Sequence, residues 1–308
     1  MLIKIQYSLI ERIISDLGKS YRDLSGERVG KKKKVDSREI GLEMGLLLGR
    51  FFQNSDDLHY GYWPEDLEVQ FSNFSRAQTN HSEYIIDNIP ENTKTILDVG
   101  AGAGGLASKL LVKGFSVDCV SPSEFLSNKI ADRLGESSEI FRCKYEELNT
   151  DKRYDLLLFS ESFQYINVET GLKKSSELLN DMGHMLICDF FRTDAEGKNP
   201  LQAGHNLAKF YAAIENNEFE NIKDEDITRE TAPTIQILGE FLSECLLPLS
   251  QLGSIYLNGN YPRFMKLLKW KFNEKFDKLN RTYFSVQINT DAHMKYVNYR
   301  LLLYKKIR

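Results

Sequence analysis

The spacing of apolar positions changes twice along this chain of 308 residues. Over residues 1–50 it is helical: Ile10, Ile13, Ile14 and Leu17 mark one run, and a second follows at Ile40–Phe52. From residue 94 short β-rich apolar runs take over, at Thr95–Val99, Phe115–Val120, Ile140–Cys143, Tyr154–Phe159 and Met185–Phe190. Helical spacing returns between them, at Gly105–Lys113, Ser123–Leu134 and Gly171–Leu179. Strands apolar on both faces and alternating with helices predict a parallel sheet covered on both sides. Past Thr193 the rhythm breaks. Leu201–Asn216 reads as a helix, Phe219–Ile227 as a strand, Thr231–Phe276 as aromatic-rich helix, and Tyr299–Tyr304 as a last strand. The roughly 70 residues between the last two strands are too many for a loop and predict a subdomain. The expected architecture is α/β: a doubly wound, mostly parallel, seven-stranded sheet. Residues 1–60 form an N-terminal helical cap, 61–227 the core, 228–296 a helical lid inserted before the last strand, and 297–308 that strand.

Composition narrows the classes. An apolar fraction of 42% with 11% aromatics supports a packed core. The net charge of −4 offers no footprint for nucleic acid or an anionic membrane. Lys4, Glu11 and Arg12 interrupt any signal-peptide core, and no run approaches the roughly 20 apolar residues of a membrane span. The cytoplasm is the expected location. Arg28 with Lys31, Lys32, Lys33 and Lys34 forms a basic cluster beside Gly26 and Gly30, readable as a solvated loop or as a contact for an acidic ligand. Cys119, Cys143, Cys188 and Cys245 are widely spaced, without a CxxC pair, and imply neither a zinc site nor a disulfide framework. No His, Asp or Glu constellation has metal-ligand spacing, so no metal is expected.

The chemistry-bearing segment is Ile96-Leu97-Asp98-Val99-Gly100-Ala101-Gly102-Ala103-Gly104-Gly105, which closes a strand and opens a helix. Glycines there let the backbone approach a ligand, and the helix N-terminus presents free N–H groups. Gly100, Gly102 and Gly105 satisfy GxGxxG, the dinucleotide fingerprint. Asp98, Gly100, Gly102 and Gly104 satisfy D-x-G-x-G-x-G, the pattern of class I methyltransferases dependent on S-adenosylmethionine (SAM). A carboxylate two residues before the first glycine would oppose a pyrophosphate but attract the ammonium of a methionine moiety. A dinucleotide site also wants an acid about 20 residues on, for the ribose. Ser121-Pro122-Ser123 hold that place, and Asp118 lies inside the strand. The balance favours SAM.

Leu58-His59-Tyr60-Gly61-Tyr62-Trp63, then Ala77-Gln78, then the glycine loop, resemble one branch of class I methyltransferases: cyclopropane fatty-acid synthases, sterol C-methyltransferases and tocopherol methyltransferases. The resemblance covers about residues 55–190 and the final strand. It implies a Rossmann-like core in which Tyr62 closes over the methionine end of SAM, with Gln78 nearby in the Ala-Gln pair. Gly100, Ala101 and Gly102 line the methionine and ribose. Ser121 and Pro122 lie near the ribose hydroxyls, Tyr145 and Glu146 near the adenine, and Phe159 and Ser160 face the methionine carboxylate. Cyclopropane synthases carry a Glu-His pair after the fourth strand; the aligned residues here are Gln164 and Tyr165. Plain methyl transfer is therefore the reading, with a small, largely apolar acceptor of natural-product, isoprenoid, quinone or lipid type.

Three residues are candidates for moving the acceptor's proton. His59 sits in the aromatic segment, and Glu161 and Tyr165 follow the fourth strand. Each can equally be structural: His59 a hydrogen-bonded histidine, the other two anchors of their loop. His205 and His293 read as surface or capping groups, and His81 and His184 as surface positions. Phe241, Leu246, Leu247, Tyr256, Tyr261, Phe264, Trp270, Phe272 and Phe276 form an aromatic and aliphatic stripe, readable as helix core or as the wall of an acceptor pocket. A homodimer is a permitted assembly, and nucleic acid is not an expected partner. Two other functions stay open: a SAM-binding partner subunit or sensor without catalysis, and an RNA or protein methyltransferase suggested by Lys31–Lys34.

Overall fold

The structure, a computed structural model, describes residues 37–197, 204–279 and 290–307. The Ile10–Leu17 run and the Arg28 and Lys31–Lys34 cluster lie outside them. The chain divides into two compact units, Met1–Ile40 and Gly41–Arg308, and the second contains the whole sheet.

Seven strands form that sheet: β1 Thr95–Val99, β2 Ser116–Val120, β3 Ile140–Phe141, β4 Tyr154–Ser160, β5 Leu179–Arg192, β6 Phe219–Asp226 and β7 Val297–Lys306. Their order is β3-β2-β1-β4-β5-β7-β6. Neighbours run parallel from β3 to β5, whereas β7 is antiparallel to both β5 and β6. The doubly wound, mostly parallel sheet expected from the sequence is present.

The apolar run of β4 explains why helices cover both faces. Side chains on a strand alternate in direction. Leu156 and Leu158 join Ile96, Val117 and Leu186 under Ile85, Leu110 and Ile130. Those three come from the helices Phe74–Asp87, Gly105–Val112 and Glu124–Leu134. Leu157 and Phe159 point the other way, to Leu172 of Val168–Leu178 and Phe210 of Leu207–Glu215. Local signals set the helix starts. Ser123 accepts the Leu126 N–H at 3.1 Å, and Asn167 and Asn206 accept from Thr170 and Lys209 in the same way. Such caps contribute about 1 kcal/mol each.

Several expectations need correction. The third strand stops at Phe141, so Cys143 lies beyond it. The stripe in the insertion is neither core nor an enclosed wall throughout. Thr228–Thr231, Pro233–Glu240, a π-helical turn at Phe241–Leu246, Leu247–Asn260 and Pro262–Leu279 are helical, but Tyr256, Tyr261, Phe264 and Trp270 face outward. The side chain of Phe276 lies outside the described residues.

Candidate active site

The C-terminal edge of the parallel strands gathers the chemistry, as expected for open α/β sheets. At the end of β1, Gly100, Gly102 and Gly104 have φ of +79°, +55° and +79°. The Gly100 N–H reaches back to the Val120 carbonyl at 2.8 Å, which turns the chain sharply. A Cβ on Gly100 would lie 2.5 Å from the Ser162 Cβ, whereas one on Gly102 would enter open space. Ser162 donates its hydroxyl to the Val99 carbonyl and ties the β4 loop to the glycine turn.

Asp98 is buried at 1% exposure, and its Oδ2 has no hydrogen-bond partner among the described residues. Burial raises its pKa to about 7. The hydroxyl of Ser160, at the end of β4, is likewise buried and unpaired. Buried polar atoms are ordinarily satisfied, so two orphans beside one glycine turn mark a place for a polar ligand. Asp118, the alternative ribose acid, is already committed. It accepts from Lys152 Nζ at 2.7 Å, the Tyr154 hydroxyl at 2.9 Å and the Glu139 N–H at 2.8 Å.

The segment before the core folds over this edge. Leu46 of the Ser37–Gln53 helix packs with Ala103 and Leu126, with Leu58 alongside. Asp56 bridges Arg50 and Arg133. Gln78 is buried and donates its amide to the carbonyls of Asp57 and His59, at 3.1 and 2.8 Å, which fixes the path of the aromatic segment. Tyr62 stacks on Tyr84 with centroids 4.7 Å apart.

Beyond Tyr60 lies a polar network. Glu161 follows β4 with φ +51°, a left-handed conformation a glutamate rarely adopts. Such strain costs on the order of 1–3 kcal/mol and persists where surrounding contacts impose it. Those contacts are explicit: Glu161 N–H donates to the Cys188 carbonyl, and its Oε1 accepts from Tyr60 N–H at 2.6 Å and the Tyr299 hydroxyl at 2.8 Å. Burial pushes the Glu161 carboxyl up, while nearby His59 and the two donors pull the other way. His81 Nε2 lies 2.9 Å from the same Tyr299 hydroxyl. With that hydroxyl donating to Glu161, His81 carries its proton on Nε2, and its buried Nδ1 has no partner among the described residues. Burial lowers the His81 pKa far below the usual range.

His59 stacks on His81 with centroids 4.7 Å apart. Its Nδ1 lies 2.8 Å from the Tyr60 carbonyl and its Nε2 3.4 Å from the Ser82 hydroxyl. Both ring nitrogens are engaged, the structural alternative for this residue. Tyr165 is 74% exposed on the turn after β4, at the rim. Gln164 holds buried Asp189 through its N–H and its amide, at 3.0 and 3.3 Å.

Of the expected cofactor residues, Asp98, Gly100, Ala101, Gly102 and Ser160 cluster at the β1 and β4 ends. Ser121 is buried just after β2 and Pro122 is exposed beside it. Tyr145 and Phe159 point into the core: the Tyr145 hydroxyl meets Ser175 Oγ at 2.9 Å, and its ring packs edge-on against Phe159. Glu146 accepts from Asn167 N–H.

His81 and His293 overturn their surface assignments, at 0% and 4% exposure. His184, in β5, is partly buried. His205 lies 3.1 Å from the Phe163 carbonyl, and Asn206 rather than His205 caps the next helix. His293 packs against Tyr60, and neither ring nitrogen has a partner among the described residues. Asp189 and Tyr299 were read only as strand positions, not as members of a site. A lone carboxylate in the apolar MLICDF strand was a signal for the first, and the i, i+4 spacing Ala77-His81-Ile85 on one helix face was a signal for His81.

A model of the methyltransferase domain family matches residues 75–228, half of the chain. A ubiquinone biosynthesis O-methyltransferase of Rickettsia felis is 28% identical over 139 residues, 42% of this chain and 54% of that protein. The chain thus spans about half the length of the curated relatives it matches. Among solved structures, geranyl diphosphate C-methyltransferase from Streptomyces coelicolor A3(2) superposes with a TM-score of 0.61 at 14% identity, covering 89% of this chain and 99% of that one. The [4+2]-cyclase SpnF superposes at 0.60 and 14% identity, over 88% and 97%. At these identities the superpositions speak to the fold.

Proposed function

The chain belongs to the methyltransferase domain family, and from that premise we propose that it transfers a methyl group from SAM to a small, largely apolar acceptor. The observation that carries the cofactor assignment is the buried, unpartnered Oδ2 of Asp98 beside a glycine turn whose Gly102 faces open space. An ammonium satisfies that carboxylate, whereas a pyrophosphate would be repelled by it. Asp98, Gly100, Ala101, Gly102 and the Ser160 hydroxyl would hold the amino-acid half. Ser121, Pro122 and Glu146 would flank the nucleoside half, with Tyr145 and Phe159 shaping the floor from within the core. Gln78 acts one step back, by pinning the Asp57–His59 backbone. When bound, SAM supplies an electrophilic methyl on a sulfonium.

The protein's own work is then positioning, exclusion of water and removal of a proton from the acceptor. Glu161 suits the last task best among the expected candidates. Among the described residues both donors to its carboxylate converge on Oε1, which leaves Oε2 for an acceptor proton. A carboxyl raised by burial is the stronger base for that purpose. Tyr299 and His81 hold the carboxylate in place, and His59 braces the Tyr60 backbone that donates to it. Tyr165 would guard the rim. The apolar rings of Tyr60, Phe190 and Tyr299, with centroids 5.8–6.3 Å apart, favour an acceptor with aromatic or isoprenoid surface. The quinone- and isoprenoid-related names among the relatives and neighbours are consistent with that class.

Calorimetry with SAM and with NAD tests the cofactor reading, and binding of NAD alone overturns it. Turnover of a panel of phenolic, quinol and isoprenoid acceptors, read as S-adenosylhomocysteine released, tests the reaction. SAM binding without release for any acceptor would favour the non-catalytic alternative.

A further inference from the structure

We propose that the helical hairpin of residues 247–274 docks on an anionic lipid surface. The Leu247–Asn260 helix carries no charged side chain, and it turns Leu249, Leu252 and Ile255 outward at 59%, 63% and 70% exposure. The next helix, Pro262–Leu279, bends at Phe272 and presents Phe264, Leu267 and Trp270 outward at 53%, 56% and 80%, on successive steps of three. Met265 sits on its inward side at 7%. Tyr256 and Tyr261 join the two helices across the turn, with ring centroids 6.5 Å apart. These outward apolar groups are contiguous along two helices, not scattered, and patches of that kind mark an interaction surface.

Charge selects the occupant. Interleaved with Phe264, Leu267 and Trp270 stand Arg263, Lys266, Lys269 and Lys271, all exposed, against the single acid Glu274 over residues 262–274. The chain as a whole has a net charge of −4, so this stretch is locally inverted. The expectation that net acidity leaves no footprint for an anionic membrane overlooked this asymmetry. Helices that lie in a bilayer interface combine Lys and Arg with Trp, Phe and Leu in this way. The apolar groups enter the acyl boundary, tryptophan favours the interfacial layer, and the lysine stems reach anionic headgroups. A second copy suits the patch poorly, because a self-complementary interface would bring two basic rows together with Glu274 as the single acid of residues 262–274 to offset each. The uncharged Leu247–Asn260 helix gives a nucleic acid backbone no purchase. Among the described residues no helix is long and apolar enough to cross a membrane, so the contact is one of lying on the surface.

The test is co-sedimentation of the full chain with vesicles of phosphatidylcholine alone or mixed with phosphatidylglycerol. We expect pelleting with the mixed vesicles, weakened at least tenfold on pure phosphatidylcholine or at high salt. The double variants Lys266→Glu/Lys269→Glu and Leu267→Asp/Trp270→Asp should each lose at least tenfold in vesicle affinity while keeping their circular dichroism and cofactor binding. Iodide quenching of wild-type tryptophan fluorescence gives a readout free of folding effects, and it should fall when mixed vesicles are added. Failure to pellet, equal binding to both vesicle types, undiminished binding by the folded variants, or dimerisation in place of vesicle binding would each overturn the proposal.

Discussion

Tyr299 and Glu161, 138 residues apart in the chain, meet through a hydroxyl-to-carboxylate hydrogen bond of 2.8 Å at the edge where β4 ends and β7 begins. Through it the last strand of the fold steadies the residue proposed to take the acceptor's proton. If Glu161 is that base, Glu161→Gln lowers kcat/KM by at least 10²-fold, the lower range of general-base contributions. Tyr299→Phe should lower it about tenfold, in keeping with a hydrogen bond to a charged group. Donation to the carboxylate favours its charged form, so removing the donor raises the Glu161 pKa and moves the acid limb of the pH profile upward. Cofactor affinity should stay unchanged in both variants, measured by calorimetry.

Gly100→Ala should abolish SAM binding. The new Cβ would sit 2.5 Å from the Ser162 Cβ, at a φ of +79° that side chains avoid. The turn must open, and the tie from Ser162 to Val99 must break. Calorimetry of the folded variant checks this; wild-type heat would contradict the cradle.

SAM affinity should rise with pH in the acidic range. Burial pushes the Asp98 carboxyl up to about 7, and the group attracts an ammonium only when ionised. One-site titration then gives a gain of about fivefold between pH 6 and pH 7. Asp98→Asn should bind weakly and without that slope. The same burial acts on stability in the opposite direction. The folded pKa lies above the unfolded value of about 3.9, so this group's contribution falls as pH rises from about 4 to 7. The Asn variant should lose less stability than wild type over that interval, as followed by urea midpoints.

Asp118→Asn separates structure from cofactor binding. Asp118 accepts from Lys152, Tyr154 and the Glu139 backbone, so its neutral replacement weakens three bonds. We expect a loss of about 1–3 kcal/mol in stability by denaturant unfolding. The SAM dissociation constant should change less than twofold; a larger change would restore Asp118 as a ligand-facing acid.

The fold was legible because its signals are local and repeated. Leu156 to Phe159 form an apolar run suited to burial on both faces, and Gly100, Gly102 and Gly104 can take the positive φ that the tight turn needs. The helix read from Ser123 is capped by that residue, whereas the one read from Gly171 starts at Val168, after an Asn167 cap that the apolar spacing did not reveal. The cofactor candidates at the ends of β1 and β4 were legible for the same reason, since the strand-to-helix turn carries them together.

The polar network proposed to face the acceptor was not legible, because its parts come from four distant segments. Tyr60, His81, Glu161 and Tyr299 become neighbours only when β7 inserts antiparallel between β5 and β6 and sets Tyr299 beside Phe190. His81 read as a surface residue because a polar side chain on an amphipathic helix usually faces water. The Phe74–Asp87 helix instead lays that face on the sheet, where the Tyr299 hydroxyl meets the ring at Nε2.

By itself the amino-acid sequence determined the alternating layers, the glycine cradle and the carboxylate beneath it, since each depends on residues within a few positions of one another. The tertiary structure decided which proton-accepting groups share the edge, that His59 is braced on both nitrogens, and that the insertion turns an apolar and basic face outward. Those outcomes depend on which distant segments pair and pack together, and apolar spacing along the chain marks a buried face without naming its partner.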